Sequence, residues 1–334
     1  MGVREISRGY TTRSNKIATL NVIGTLAAYF VLLWLAISYA DIWYLLVPLS
    51  VAVAFAAIRL YMLQHDCGHG SFFTTRWLND AAGRMMAPFT FAPYNATKHN
   101  HNLHHTHIGD LDHRDAGEIY TMTLAEYRNA PFWKRMGYRL YRTPLILFMI
   151  GPVFVYIIQY RFPKNAIKTG IWDVIITNFA IGIYLWGLYA LFGATALWVL
   201  GGCIVIGGFI GAMIPYIQHN FEDMYWDRKP SHTFEAAALQ SSAVLDFGRV
   251  YNFLTANIAY HDLHHFNANI PCYRLGKCYE AVEHLLNSRK IGIVQGVGCL
   301  RWKLWDEDAG KMVPFPALFG FDRRVATIRF RMRS

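Results

Sequence analysis

Charge is scarce in this sequence. Asp, Glu, Lys and Arg supply 16% of its 334 residues, against about 25% in an average soluble domain. With 54% hydrophobic and 16% aromatic residues, a fold wrapped in a charged shell is disfavoured. Acidic groups are the scarcer sign: 22 Asp and Glu face 32 Lys and Arg, a net charge of +10 with histidine neutral. Such a surplus raises a nucleic-acid binder. The basic residues, however, flank apolar runs instead of forming one stripe, so no nucleic-acid partner is expected and anionic headgroups of membrane lipids are. Cysteine pairs are missing as well. Cys67, Cys203, Cys272, Cys278 and Cys299 are odd in number and contain no C-x-x-C, which argues against a disulfide framework and for a reducing compartment.

What is present is length. Residues 17–39 are almost uninterrupted apolar sequence, enough helix to span roughly 30 Å of hydrocarbon. Arg4, Arg8, Arg13 and Lys16 precede it as in a signal peptide, but a signal core is only about 7–15 residues long, so a retained anchor is expected. Residues 42–63 form a second span, with Pro48 tolerable among neighbouring helices. Residues 171–192 and 195–217 form a third and a fourth. The last is glycine-rich, and its Gly207-x-x-x-Gly211 spacing suits close helix contact. Each pair is joined by a very short connection, which predicts two hairpins. Residues 145–160 are short, carry Gly151-Pro152 and are bracketed by Arg142 and Arg161. They are read as lying in the interface.

Orientation follows from Lys and Arg. Neither hairpin connection contains any, and Arg59 lies within the second span near its end, where it can snorkel. The others fall before residue 17, in 64–142, in 161–170 and after 217. Four crossings put all of these on one side, which the positive-inside rule makes cytoplasmic. The expected fold is therefore an all-α integral membrane protein and a single domain over 1–334. Two transmembrane hairpins would carry a cytoplasmic helical cap built from 64–142 and 218–334.

The 14 histidines are clustered. His65-Asp66-Cys67-Gly68-His69 follows the second span, His101-Asn102-Leu103-His104-His105 comes next, and His261-Asp262-Leu263-His264-His265 follows the fourth. His219 lies just past that span. Residues at i, i+3 and i+4 share one helix face, so each cluster can aim its imidazoles at one point. Gly68 and Gly70 suggest that the first helix ends at its cluster. Imidazole suits iron, zinc, copper and nickel. Nine nitrogen donors are too many for one ion and can fill most positions of two. For the clusters to meet, an even number of crossings must separate them, so 145–160 should not cross. Ligands just beyond helix ends also argue against a metal transporter, whose sites lie near the bilayer midplane.

The pattern H-x3-H, H-x2-H-H, H-x2-H-H, read here as His65/His69, His101/His104/His105 and His261/His264/His265, resembles the membrane fatty acid desaturase family. The likeness covers nearly the whole chain. His65–Phe72 (HDCGHGSF) is similar to acyl-lipid desaturases of the Δ12/omega-6 type. Gly109–Asp112, Tyr138–Pro144 (YRLYRTP) and Asn257–Tyr273 look like bacterial members of that group, which implies a bacterial inner membrane. His219 matches a further ligand placed after the last span. The resemblance implies two non-haem irons on His65, His69, His101, His104, His105, His219, His261, His264 and His265. It further implies dioxygen as co-substrate, a fatty-acyl lipid as substrate, and electrons from an external ferredoxin-like or cytochrome b5-like protein, since no HPGG haem motif occurs. His99, His107 and His113 depart from the pattern and are left outside the ligand set.

Removing hydrogen from an unactivated methylene is beyond any side-chain acid or base. The hard chemistry belongs to a metal cofactor and dioxygen, and the protein supplies position and exclusion. Ligating histidines usually donate their other N–H to a carboxylate or carbonyl. Asp66 and Asp262 are candidates, with Asp110, Asp112, Glu222 and Asp223 near the clusters, and Asn257 in reach of the metals if helical. Phe72, Phe73, Met85, Met86 and Phe89 are candidate linings of an apolar tunnel. A related hydroxylase or carotenoid ketolase would use the same ligands. A metal transporter or a structural membrane protein would not consume oxygen. The position of the double bond, the chain length and the headgroup are not legible.

Overall fold

The structure, a computed structural model, describes residues 2–114 and 119–317. It is mostly helical, and among the described residues four helices are long and apolar enough to cross a membrane. Helix α1 (Asn15–Ser38) starts where the Ser14 side chain accepts the Ile17 N–H. Helix α2 (Trp43–His69) packs along α1. At 27 residues it is roughly 40 Å long, about two turns more than a bilayer core needs. Those turns carry the first histidine cluster. The helix stops at Gly70, whose φ of 68° only glycine adopts freely.

Helices α3 (Arg76–Thr90) and α4 (Tyr94–His107) follow. Their turn is tight because Gly83 lets the Tyr94 ring lie against the α3 backbone: a Cβ there would sit 2.2 Å from the ring. The Tyr94 hydroxyl donates to the Cys67 carbonyl at 2.9 Å, which ties α4 to the end of α2. Helices α5 (Ile171–Phe192) and α6 (Ala194–Gln218) are the remaining long apolar pair. Beyond them, α7 (His261–Phe266) and α8 (Cys272–Val282) belong to a polar layer of short helices with two two-stranded sheets.

Phe132–Tyr141 and Leu145–Arg161 form a helical pair bent by 58°. The second arm lies against α6. Phe148 meets Tyr216 at 5.0 Å between ring centres, and a Cβ on Gly208 would stand 2.9 Å from Pro152. The glycines of α6 thus differ in role. Gly207 approaches Ala54 of α2, Gly208 admits Pro152, and Gly211 has open space beside it. The core of the long helices includes Tyr29, Leu33, Leu60, Leu63 and Leu200. Large residues face outward: Trp186 is 70% and Trp198 81% exposed, a surface suited to lipid. All five cysteines are buried and unpaired.

Candidate metal centre

The histidines converge. One group holds His65, His69, His101, His105 and His264, and a second holds His104, His219, His261 and His265. Within each group one nitrogen per ring lies within 4.8 Å of every other. All nine sequence-predicted site residues are present in these two groups. They come from the last turns of α2, from α4, from the C-cap of α6 and from α7, segments up to 200 residues apart.

The donor geometry fits cations. His101 Nε2 lies 2.7 Å from His65 Nε2 and 2.9 Å from His105 Nε2. His261 Nε2 lies 2.9 Å from His219 Nε2 and 3.0 Å from His265 Nε2. A neutral imidazole carries one N–H, so one proton cannot serve two such contacts at a single nitrogen. Among the described residues the buried His264 Nε2 has no hydrogen-bond partner. Burial, then neighbouring imidazoles, holds His101, His105, His261, His264 and His265 well below the ordinary imidazole pKa. Neutral nitrogens crowded in this way are metal donors.

The outer bonds set tautomers. His65 Nδ1 donates to Asp66 Oδ1 at 3.3 Å, and Asp66 Oδ2 accepts the Cys272 N–H at 2.6 Å. Asp66 therefore links the first cluster to the segment after the third. His219 Nδ1 donates to the Ser241 carbonyl at 3.0 Å, a partner with no sequence signal because it is main chain. Each bond leaves Nε2 turned to the group.

Other candidates fall elsewhere. Asp262 accepts from Ser288 and from the Leu263 N–H, and burial lifts its carboxyl to about 6. Asn257 is not helical: its φ is 63° and its amide donates to the Cys272 carbonyl. Asp112, Glu222 and Asp223 sit in exposed ion pairs with Arg228, Arg301 or Lys311, and Arg289. Asp110 is buried beside His107 and His113.

One cavity reaches the centre and a second adjoins it. The first is lined by His65, His101, His104, His219 and His261. The other, narrow and apolar, runs between α1, α2, α6 and the 145–161 arm. Tyr61, Met62, Tyr156 and Gly211 line both. From His65 to Val53, at the far end, is roughly 18 Å along α2. The tunnel expectation is corrected here. Phe72, Phe73 and Met86 are core residues and Met85 is exposed, so of the five only Phe89 lines the apolar cavity. The turn at Gly70 carries Phe72 away to pack on Tyr273. Arg142 was missed. It is 1% exposed, lines the metal-side cavity, and is held by the Tyr120 and Trp302 carbonyls, Thr121 and Asn220. Its place beside an apolar run had marked only a boundary.

Residues 41–296 match the fatty acid desaturase family. A fatty acid desaturase of Bacillus subtilis is 34% identical over 91% of this chain and 87% of its own length. The chain belongs to the fatty acid desaturase family. Other relatives of this desaturase are named for lipid substrates. An sn-1 acyl-lipid omega-3 desaturase (ferredoxin) of Nostoc sp. is 27% identical over 76% of this chain and 72% of its own. An sn-1 oleoyl-lipid 12-desaturase of Picosynechococcus sp. is 23% identical over 72% and 70%.

Proposed function

We propose that this desaturase inserts a double bond, at a Δ12/omega-6 position, into the acyl chain of a membrane lipid. Two irons would be held by the nine histidines, one by each group. The observation that carries this reading is the joining of two clusters of converging imidazoles to a narrow apolar cavity. Bound there, iron supplies the oxygen-dependent chemistry that removes two hydrogens from neighbouring methylenes. The chain's own residues do the rest. The imidazoles present Nε2, Asp66 and the Ser241 carbonyl hold two of the rings, and Tyr61, Met62 and Gly211 line the passage for the acyl chain. The aliphatic and aromatic walls of the inner cavity exclude water and receive the methyl end.

We read the four long helices as two membrane hairpins, with the polar layer as a cytoplasmic cap. Parity supports this. The clusters on either side of α5 and α6 meet, so the arm at 145–161 enters beside α6 and returns. The excess of Lys and Arg at the cap end supports a cytoplasmic site, in keeping with a bacterial inner membrane. Electrons would come from an external donor, ferredoxin-like or cytochrome b5-like; the name of the Nostoc relative favours the former.

The test is expression in a bacterium lacking polyunsaturated lipids, with double bonds located by mass spectrometry. New double bonds at the Δ12/omega-6 position are expected. An omega-3 product would overturn the position alone. A hydroxylated lipid as sole product would overturn desaturation.

A further inference from the structure

His107, Asp110 and His113 form a third group of ligand-type side chains, separate from both histidine groups. His107 ends α4. Gly109, at φ 66°, then turns the chain so tightly that a Cβ would lie 2.5 Å from Ser241 Oγ. Asp110 returns beneath His107, and the turn is fixed by main-chain bonds: Leu111 N–H to the Asp227 carbonyl, 3.0 Å, and Asp227 N–H to the Gly109 carbonyl, 2.9 Å. A rigid loop thus presents the three side chains together.

The charges around Asp110 are unusual. The residue is 2% exposed. Its Oδ1 accepts the Asp112 N–H at 2.8 Å. Its Oδ2 faces His113 Nδ1 at 2.9 Å and His107 Nδ1 at 4.0 Å. The two rings are stacked, 24° apart with centres at 4.7 Å. Arg228, on the adjoining segment, is engaged by Asp112 and Glu307 instead. His232 is used by the Ile108 carbonyl. Two stacked imidazoles therefore aim the same nitrogen at one buried oxygen, and only one of them is within hydrogen-bond distance.

We propose that His107, Asp110 and His113 bind a divalent transition ion such as zinc. Ligand distances near 2.0–2.2 Å around a tetrahedral centre separate the donor atoms by about 3.3 Å, and the two distances from Asp110 Oδ2, 2.9 and 4.0 Å, bracket that value. His107 needs to close by less than about 1 Å. Two imidazoles and a carboxylate suit zinc, cobalt, nickel or copper better than magnesium or calcium. The half-exposed His113 leaves the fourth position open to water. The ion would brace the end of α4, the helix that carries His101, His104 and His105, to the 110–113 loop, which is itself hydrogen-bonded to Asp227.

The test uses the full-length, iron-loaded protein and zinc or cobalt salts alone. Elemental analysis after desalting should find one zinc beyond the iron, and cobalt should give visible tetrahedral bands. His107→Ala/His113→Ala should lower zinc uptake at least tenfold with iron unchanged. If that variant fails to fold, His113→Gln, changed at a half-exposed position, should show the same loss. No extra zinc in the wild type overturns the proposal, as does equal uptake by a folded variant or zinc that merely displaces iron in both proteins.

Discussion

The four long helices and the polar layer solve opposite problems with different kinds of contact. Helices α1, α2, α5 and α6 are apolar on nearly every side, and within each spanning window only a fifth to a third of residues are buried. Their outward surface is left for lipid, and their close contacts rely on small residues, Gly207 against Ala54 between α6 and α2 and Gly208 against Pro152 of the bent arm. The layer is held by directed bonds from buried polar groups: Asn79 with Phe73, Gln218 with Ile258, Arg142 with four acceptors. Length and hydropathy suffice to hold a span, while nine rings in two groups need bonds that fix direction. Chemistry therefore sits where the long helices leave the apolar zone, and the cavity between them inherits an apolar wall.

The contrast breaks most severely at the rings. His264→Ala removes a donor of the first group and His261→Ala one of the second. Each should lower iron by about one ion per chain and reduce double-bond formation below detection, read by iron content and lipid analysis. Full turnover in either would end the ligand assignment.

Acid should attack the layer before the spans. Burial holds His101, His105, His261, His264 and His265 below the ordinary pKa, while the unfolded chain takes up protons near 6.5. The unfolded state thus binds more protons below that pH. The stability of the metal-free protein should be full above pH 6.5 and fall as pH drops, by up to about 1.4 kcal/mol per imidazole per unit. Thermal unfolding in detergent between pH 7.5 and 5.5 reads this. A flat profile would mean that the rings are open to water.

Asp66→Asn tests orientation without removing a ligand. An amide keeps one acceptor and meets the Cys272 N–H or His65 with a donor. Iron affinity should fall by about 10–100-fold, as such outer partners typically cost, with product identity unchanged. Gly211→Phe tests the passage. The open space beside this glycine lies where the two cavities meet. The variant should keep its iron and lose about tenfold in turnover, on the order of 1.4 kcal/mol. Undiminished activity would move the acyl path elsewhere.

The long apolar helices were legible in the sequence because bilayer thickness imposes length, and their observed ends fall within two residues of the expected ones except at α2, which runs six residues further to His69. The convergence of the eight clustered histidines was legible because i, i+3 and i+4 spacing puts donors on one helix face, whereas His219 stands alone in the sequence and only its place after the last long apolar run pointed to it. Partners that depend on tertiary approach were not. The Ser241 carbonyl is anonymous main chain. Arg142 looks like any charge beside an apolar run. Phe72 and Phe73 follow a cluster in sequence yet turn away at Gly70. Asn257 had the right spacing for a helix face, but α7 begins only at His261. Sequence proximity to a ligand thus misled wherever a turn intervened.

Asp223 makes the same point in its smallest form. It lies four residues past His219 and carries a charge, so spacing alone offers it as a helper to the site. The chain, however, leaves α6 at His219, and Asp223 pairs with Arg289 at 3.4 Å where the two side chains are 59% and 53% exposed. An ion pair so open to water contributes about 0–1 kcal/mol. Asp223→Asn should shift stability by less than about 0.5 kcal/mol and leave iron content and turnover within error, and the effect should vanish in high salt. A loss of iron as large as that of Asp66→Asn would place this carboxylate against a ligand, and would mean that the layer folds back at residue 220 differently from the path drawn here.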